Sequence, residues 1–211
     1  DAATDESGIN LSQVTGTTFV GTNPTGIINS TISNNYEFEV QIANSTGTLV
    51  DFQLNDNTIS SNGLPINGAA SSSHGNLVNF LATGTASMTL NANRGTYTGN
   101  WNSTTPPAVI TATGLHVDHS GTSGTMTANV STANFTNNNV AANVSAANGG
   151  SLTFDLNGNI ATGNRSHGLN HFLSANATGT TLGKFRNNTI GTNGTAGSAS
   201  QIGVGLRVQN E

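Results

Sequence analysis

The 211-residue sequence predicts an all-β chain wound as a parallel solenoid. Three observations carry that expectation. Almost no stretch stays free of Gly, Asn, Thr and Ser for two helical turns, and these residues are poor helix formers. Short runs alternate apolar and polar residues with period two, the pattern of strands buried on one face. Only 7% of the residues are charged and 5% aromatic, while glycine counts 26 and asparagine about thirty. A chain with so little apolar bulk folds only around a thin core, with its backbone groups paired almost completely. Disordered chains of similar polarity usually carry more charge and more proline than the four prolines here.

The clearest strands, in chain order, span Tyr36 to Ile42, Val50 to Asn55, Leu152 to Asn157 and Ile202 to Val208. Each places its apolar residues on one face. Phe52, Leu54, Phe80, Phe154, Leu156 and Phe172 are expected to point inward. Asn-rich turns recur at 34–35, 55–57, 91–93, 137–138, 157–159 and 187–188. Asparagine tolerates left-handed backbone at a turn, and its amide can stack into a ladder between coils. The spacing of these turns gives a coil of about 20–25 residues, and so about eight coils.

A longer repeat overlies the coils. Phe52-Gln53-Leu54-Asn55 returns as Phe154-Asp155-Leu156-Asn157, and Ser73-His74-Gly75 as Ser166-His167-Gly168. Asn79-Phe80-Leu81 is matched with His171-Phe172-Leu173, Asn91-Ala92-Asn93 with Asn187-Asn188, and Gly114-Leu115-His116-Val117 with Gly205-Leu206-Arg207-Val208. The expectation is a single solenoid domain over 1–211, made of two diverged tandem copies at about 22–119 and 120–211.

Two segments bring a family into view. Leu54-Asn55-Asp56-Asn57-Thr58-Ile59 and Phe185-Arg186-Asn187-Asn188-Thr189-Ile190-Gly191 resemble coils of right-handed parallel β-helices of the pectin-lyase-like superfold. The run from Asn187 to Val208 resembles large repetitive bacterial surface proteins, including autotransporter-like adhesins. The resemblance implies a right-handed helix, secretion or display at the cell surface, and a structural or adhesive role such as a biofilm matrix component or surface appendage. Because one fold hosts many functions, a carbohydrate-binding or polysaccharide-degrading β-helix is the alternative.

Charge narrows the partners. Five Lys and Arg against ten Asp and Glu leave a net charge of -5, with no basic patch to follow a phosphate backbone, so nucleic acid is not expected as a partner. No polybasic segment seeks anionic lipid and no apolar run nears the ~20 residues of a membrane helix, so membrane insertion is not expected either. Cysteine is absent, which removes disulfides and thiolate chemistry. The first six residues lack the basic and apolar regions of a signal peptide.

Candidate chemistry is sparse. Glu37 and Glu39 alternate on one expected strand face, and Asp51, Asp56, Asp118 and Asp155 are scattered. Solvated strand faces explain these better than a catalytic carboxylate pair. His116 and Asp118 share a strand face, as half of a metal site would require, but the matching Arg207-Val208-Gln209-Asn210 holds no ligand. His167 and His171 lie four apart with no helix to align them, and no Ser-His-Asp triad assembles. Asn148 to Asp155 faintly resembles a calcium-binding coil, once. Thr-x-Thr pairs at Thr15/Thr17, Thr46/Thr48, Thr83/Thr85, Thr111/Thr113, Thr125/Thr127 and Thr178/Thr180 would bind ice only if stacked in line, and their irregular spacing argues for ordinary strand threonines. Trp101, the one tryptophan, sits before Pro106-Pro107 and is expected to pack under a loop. Asn-x-Ser/Thr sequons are numerous, among them Asn29, Asn44, Asn129, Asn134, Asn143, Asn164 and Asn176. No catalytic residue, metal or cofactor is therefore assigned. The expected role is structural or adhesive and not enzymatic, with head-to-tail self-stacking or surface and matrix glycans as partners.

Overall fold

The structure, a computed structural model, describes residues 7–16, 25–33, 35, 38–60, 76–99, 113–191 and 204–210. The described residues contain strands, turns and bends and no helix. Three strands make a coil. The first coil holds β1 (Ile9–Ser12), β2 (Gly26–Ile28) and β3 (Thr31–Ser33); the second holds β4 (Val40–Asn44), β5 (Thr48–Asn55) and β6 (Thr58–Ser60). The third has β7 (Val78–Ala82), β8 (Ser87–Asn93) and β9 (Thr96–Thr98), and the fourth β10 (Thr113–His119), β11 (Thr125–Ser131) and β12 (Asn134–Thr136). The fifth has β13 (Val140–Ala146), β14 (Ser151–Asn157) and β15 (Ile160–Thr162), and the sixth β16 (His167–Leu173), β17 (Thr181–Arg186) and β18 (Thr189–Ile190). β19 (Val204–Asn210) begins a further turn.

Every third strand joins the same sheet. Sheet A runs β1-β4-β7-β10-β13-β16-β19, sheet B β2-β5-β8-β11-β14-β17 and sheet C β3-β6-β9-β12-β15-β18, and all pairs are parallel. This is the stacked-coil architecture expected from the alternation and the Asn turns. Sequence-distant strands become neighbours, and each coil bonds to the one before and the one after.

The register corrects the expected coil length. Val40 lies opposite Val78, a step of 38 residues, whereas Leu115 lies opposite Ala142 and Ala142 opposite Leu169, steps of 27. The short estimate arose from mixing positions that are not equivalent. Asn91 and Asn93 lie on β8 and are no turn, while 55–57 and 137–138 sit at different corners. Most of the difference between these steps falls at one connection. From sheet C to sheet A the connection runs from Ser60 to Val78 and from Thr98 to Thr113, but only from Thr136 to Val140 and from Thr162 to His167. The two repeat copies then have a simple meaning. Phe52, Leu90, Ala128 and Phe154 are successive members of one inward column, so the copy-to-copy offset spans three coils. The offset drifts because a given stretch crosses different numbers of long connections.

The core is a set of inward columns. On sheet C, Ile32, Ile59, Tyr97, Phe135, Ala161 and Ile190 lie in register, with Tyr97 stacked on Phe135 at 4.9 Å between ring centroids. On sheet A, Leu11, Ile42, Phe80, Val117, Val144, His171 and Val208 form another. Phe52, Leu54, Phe80, Phe154 and Leu156 are buried as expected. Phe172 is not in the core. It pairs with Ser145 on the outward face, and His171 takes the inward position. The sequence match of Phe80 with Phe172 was one residue out of register, and in a strand a slip of one reverses the face.

The corners explain the asparagine content. Between sheets B and C, one residue per coil adopts a left-handed backbone: Asn29, Asp56, Arg94, Thr132, Gly158 and Asn187, with φ of 51° to 67°. The residue that follows points inward in three coils as an asparagine that bonds the coil before it. Asn57 Oδ1 accepts from Ser30 N at 2.9 Å and its Nδ2 donates to Ile27 O at 2.7 Å. Asn159 repeats this on Ala133 N and Val130 O, and Asn188 on Asn159 N and Leu156 O. At the next corner, Asn164 Oδ1 accepts from Asn138 N at 3.0 Å and its Nδ2 donates to Phe135 O at 3.3 Å. Each of these amides donates to a strand carbonyl and accepts from a turn N–H of the coil before it.

Two mutational outcomes follow. Phe80→Ala should cost about 3–5 kcal/mol in urea denaturation, whereas Phe172→Ala should cost less than about 1 kcal/mol. Equal losses would contradict the register. Asn159→Ala should cost about 2–3 kcal/mol, because it leaves the buried Ala133 amide without its acceptor and removes a bond to the Val130 carbonyl.

Candidate functional site

Alternation that puts apolar residues inside puts polar ones outside in equally regular columns. On sheet A one outward column runs Gln41, Asn79, His116, Asn143, Asn170 and Arg207. The neighbouring column carries Leu81, Asp118, Ser145, Phe172 and Gln209. Between them, around His116, Asp118, Ser145 and Phe172, lies a depression of about 420 Å³.

A serine, a histidine and an aspartate meet here, which the sequence did not indicate because Ser145 lies on a different coil from the other two. Their wiring is not that of a nucleophile. Ser145 Oγ donates to Asp118 Oδ1 at 2.6 Å, so its single proton is committed to the carboxylate. His116 Nε2 lies 3.3 Å from Ser145 Oγ. His116 Nδ1 lies 3.0 Å from Asn76 Nδ2. Burial holds His116 below the ordinary histidine value against the opposing pull of Asp118. Asn79 Oδ1 lies 3.2 Å from Nδ1 as well, so the ring is held from both sides by polar groups. A nucleophilic serine hands its proton to a histidine nitrogen, whereas here the Ser145 proton points to Asp118. What the cluster offers is a carboxylate, a hydroxyl, the amides of Asn143 and Asn170, and the Phe172 ring.

The other carboxylates are accounted for individually. Glu39 is buried just before β4, where it accepts from Asn35 N at 3.3 Å; it does not lie on an exposed strand face as expected. Asp51, at a bulge in β5 with φ of 58°, accepts from Gln53 and Asn91. Gln53 shares the column of Asp155, through Asn91 and Asn129. Asp56 pairs with Arg94 at 2.6 Å and Asp155 pairs with Arg186, and the hydrogen bonds from the guanidinium groups hold both carboxyls below the usual range. Glu37, His74 and Trp101 lie outside the described residues.

The remaining histidines separate. His119 points inward and is fully buried, with its Nδ1 accepting from Gly121 N at 3.3 Å. His171 donates from Nδ1 to Val144 O at 2.9 Å and packs 4.9 Å from the Phe154 ring. His167 lies beside β19, with Nε2 3.2 Å from Arg207 Nη1. Among the described residues, no group of three or more His, Asp or Glu side chains could share a metal ion. The sequons also separate: Asn44 and Asn164 are buried and bonded, whereas Asn29, Asn129, Asn134 and Asn176 are exposed.

No family model, no curated protein and no solved structure matches the chain.

Burial holds His116, His167 and His171 below their ordinary value, with the Arg207 charge adding to the effect at His167. The unfolded chain then binds protons that the folded chain refuses, so stability is full above about pH 6.5 and falls below it. The depressed Asp56 and Asp155 carboxyls add a second, smaller loss below the ordinary carboxylate value of 3.8. Urea midpoints measured at pH 7.5 and 5.0 should show the first decline, and His171→Leu should reduce it. A midpoint unchanged between those pH values would contradict the assignment.

Proposed function

We propose that this chain is a structural or adhesive element, a right-handed β-helix secreted or displayed at a cell surface, that extends by stacking coil on coil. The observation that carries the reading is the fate of the inward columns. On β19, Leu206 and Val208 continue the columns that Ile9 and Leu11 begin on β1, yet they are 46% and 65% exposed. Beside them Phe154, Leu173, Phe185 and Val208 line an open apolar depression of about 350 Å³, in which Gly183 lies directly against the buried Phe154 ring. We take a second copy as the occupant of this face, its Ile9 and Leu11 carrying the same two columns onward. Backbone pairing along β19 would add to the apolar burial. Repeated head to tail, the contact gives a filament.

Sedimentation over a wide concentration range tests this. The full chain should form concentration-dependent assemblies that Val208→Lys disperses without altering its circular dichroism. A chain that stays monomeric at every concentration would contradict the stacking.

A second reading is favoured by Phe172. An aromatic ring among Asn143, Asn170 and Asp118 offers the apolar platform and fixed hydrogen-bond groups that a sugar ring uses. On that reading the sheet A depression binds surface or matrix glycans without cleaving them. Retention on polysaccharide resins should then be lost in Phe172→Ala.

A further inference from the structure

We infer that the outward face of sheet C is an ice-binding surface. It carries two columns in register across the coils. One is Thr31, Thr58, Thr96, Asn134, Ile160 and Thr189; the other is Ser33, Ser60, Thr98, Thr136 and Thr162. The irregular coil length does not disturb them, because the connection from sheet B to sheet C has the same length in every coil and the variable residues lie elsewhere. The expected obstacle to an ordered threonine array is therefore absent from this sheet.

Outward threonines are common on strands, so the array must be distinguished from ordinary β-propensity. The other two sheets supply the comparison. Sheet A presents His116, Asp118 and Arg207 outward, and sheet B presents Asp155, Lys184 and Arg186. The eleven outward positions of sheet C hold no charged residue. Charged groups organise tight hydration shells that do not match a crystal lattice of water.

Geometry and side-chain chemistry agree. Rows repeat about every 4.8 Å between strands, and positions i and i+2 stand about 6.7 Å apart along a strand. Both steps are close to oxygen repeats at the surface of hexagonal ice. Threonine is stiff at χ1, so its hydroxyl and methyl keep the same orientation from row to row. Among the described residues, only Thr98 and Thr136 of this set bond each other through their hydroxyls, at 3.1 Å. Among the described residues, no hydrogen bond ties the hydroxyls of Thr31, Thr58, Thr96, Thr162 or Thr189 to a second side chain or backbone group. They are free to hold ordered water, while their methyls and Ile160 fill the spaces between.

The face is separate from β19 and from the Phe172 depression, so this inference stands or falls independently of the filament and glycan readings. The test is thermal hysteresis and ice-crystal shaping by the full chain, with Thr98→Lys and, nearer the end of the array, Thr162→Lys. Asn129→Lys on the outward face of sheet B is the control, and circular dichroism monitors the fold of each variant. The wild-type chain and the control should shape ice and depress the freezing point. Each sheet C lysine should lower the hysteresis several-fold. A wild-type chain at millimolar concentration that neither shapes ice nor shows hysteresis would overturn the inference. So would an equal loss in the control, or adsorption to crystalline cellulose in place of ice.

Discussion

Corners are the weak point of a parallel solenoid, and buried asparagines close them here. Strand amides find partners in the adjacent coils automatically, but a turn rotates its N–H and C=O groups out of line. Asn57, Asn159, Asn188 and Asn164 each reach back one coil and satisfy one N–H and one C=O. The same bonds fix the vertical register, since an amide displaced by one residue would meet neither group. With the register fixed, apolar residues stack in columns inside and polar residues outside. Both candidate surfaces are consequences of that alignment.

The arrangement also explains how so few aromatics suffice. A core one coil across needs one or two inward side chains per strand. Alanine fills it in places, as at Ala92, Ala128, Ala142 and Ala161, while Phe80, Tyr97, Phe135 and Phe154 fill the wider parts. Tyr97 is fully buried beside Phe135, and burial alone pushes its hydroxyl well above the ordinary tyrosine value. Tolerance to insertion is concentrated where sheet C hands over to sheet A. Length added there leaves the three sheets undisturbed, which lets coils 27 and 38 residues apart share one register.

Architecture was legible in the sequence because strand alternation and Asn turns are local signals. β5 and β14 stand out in the alternation of Phe52, Leu54, Phe154 and Leu156. The register was less legible. Pairing joins residues 26 to 39 apart, and a one-residue error at His171-Phe172 reversed an aromatic from surface to core. The sheet A cluster escaped notice because β13, with Val140-Ala141-Ala142-Asn143, lacks clean alternation and so hid the placement of Ser145. The sheet C array escaped because its strands are two or three residues long. Thr58-Ile59-Ser60 and Thr96-Tyr97-Thr98 are unremarkable alone and gain meaning only when stacked.

Amide hydrogen exchange read residue by residue by NMR tests the role of the corner asparagines most directly. Ser30, Ala133 and Asn159 lie at turns, where amides ordinarily exchange fast. If asparagines of the next coil hold them, they should be protected to the same degree as the amides within the sheets, and Asn159→Ala should release Ala133 selectively. Fast exchange at all three in the wild-type chain would show that the corners are open and that something else sets the register.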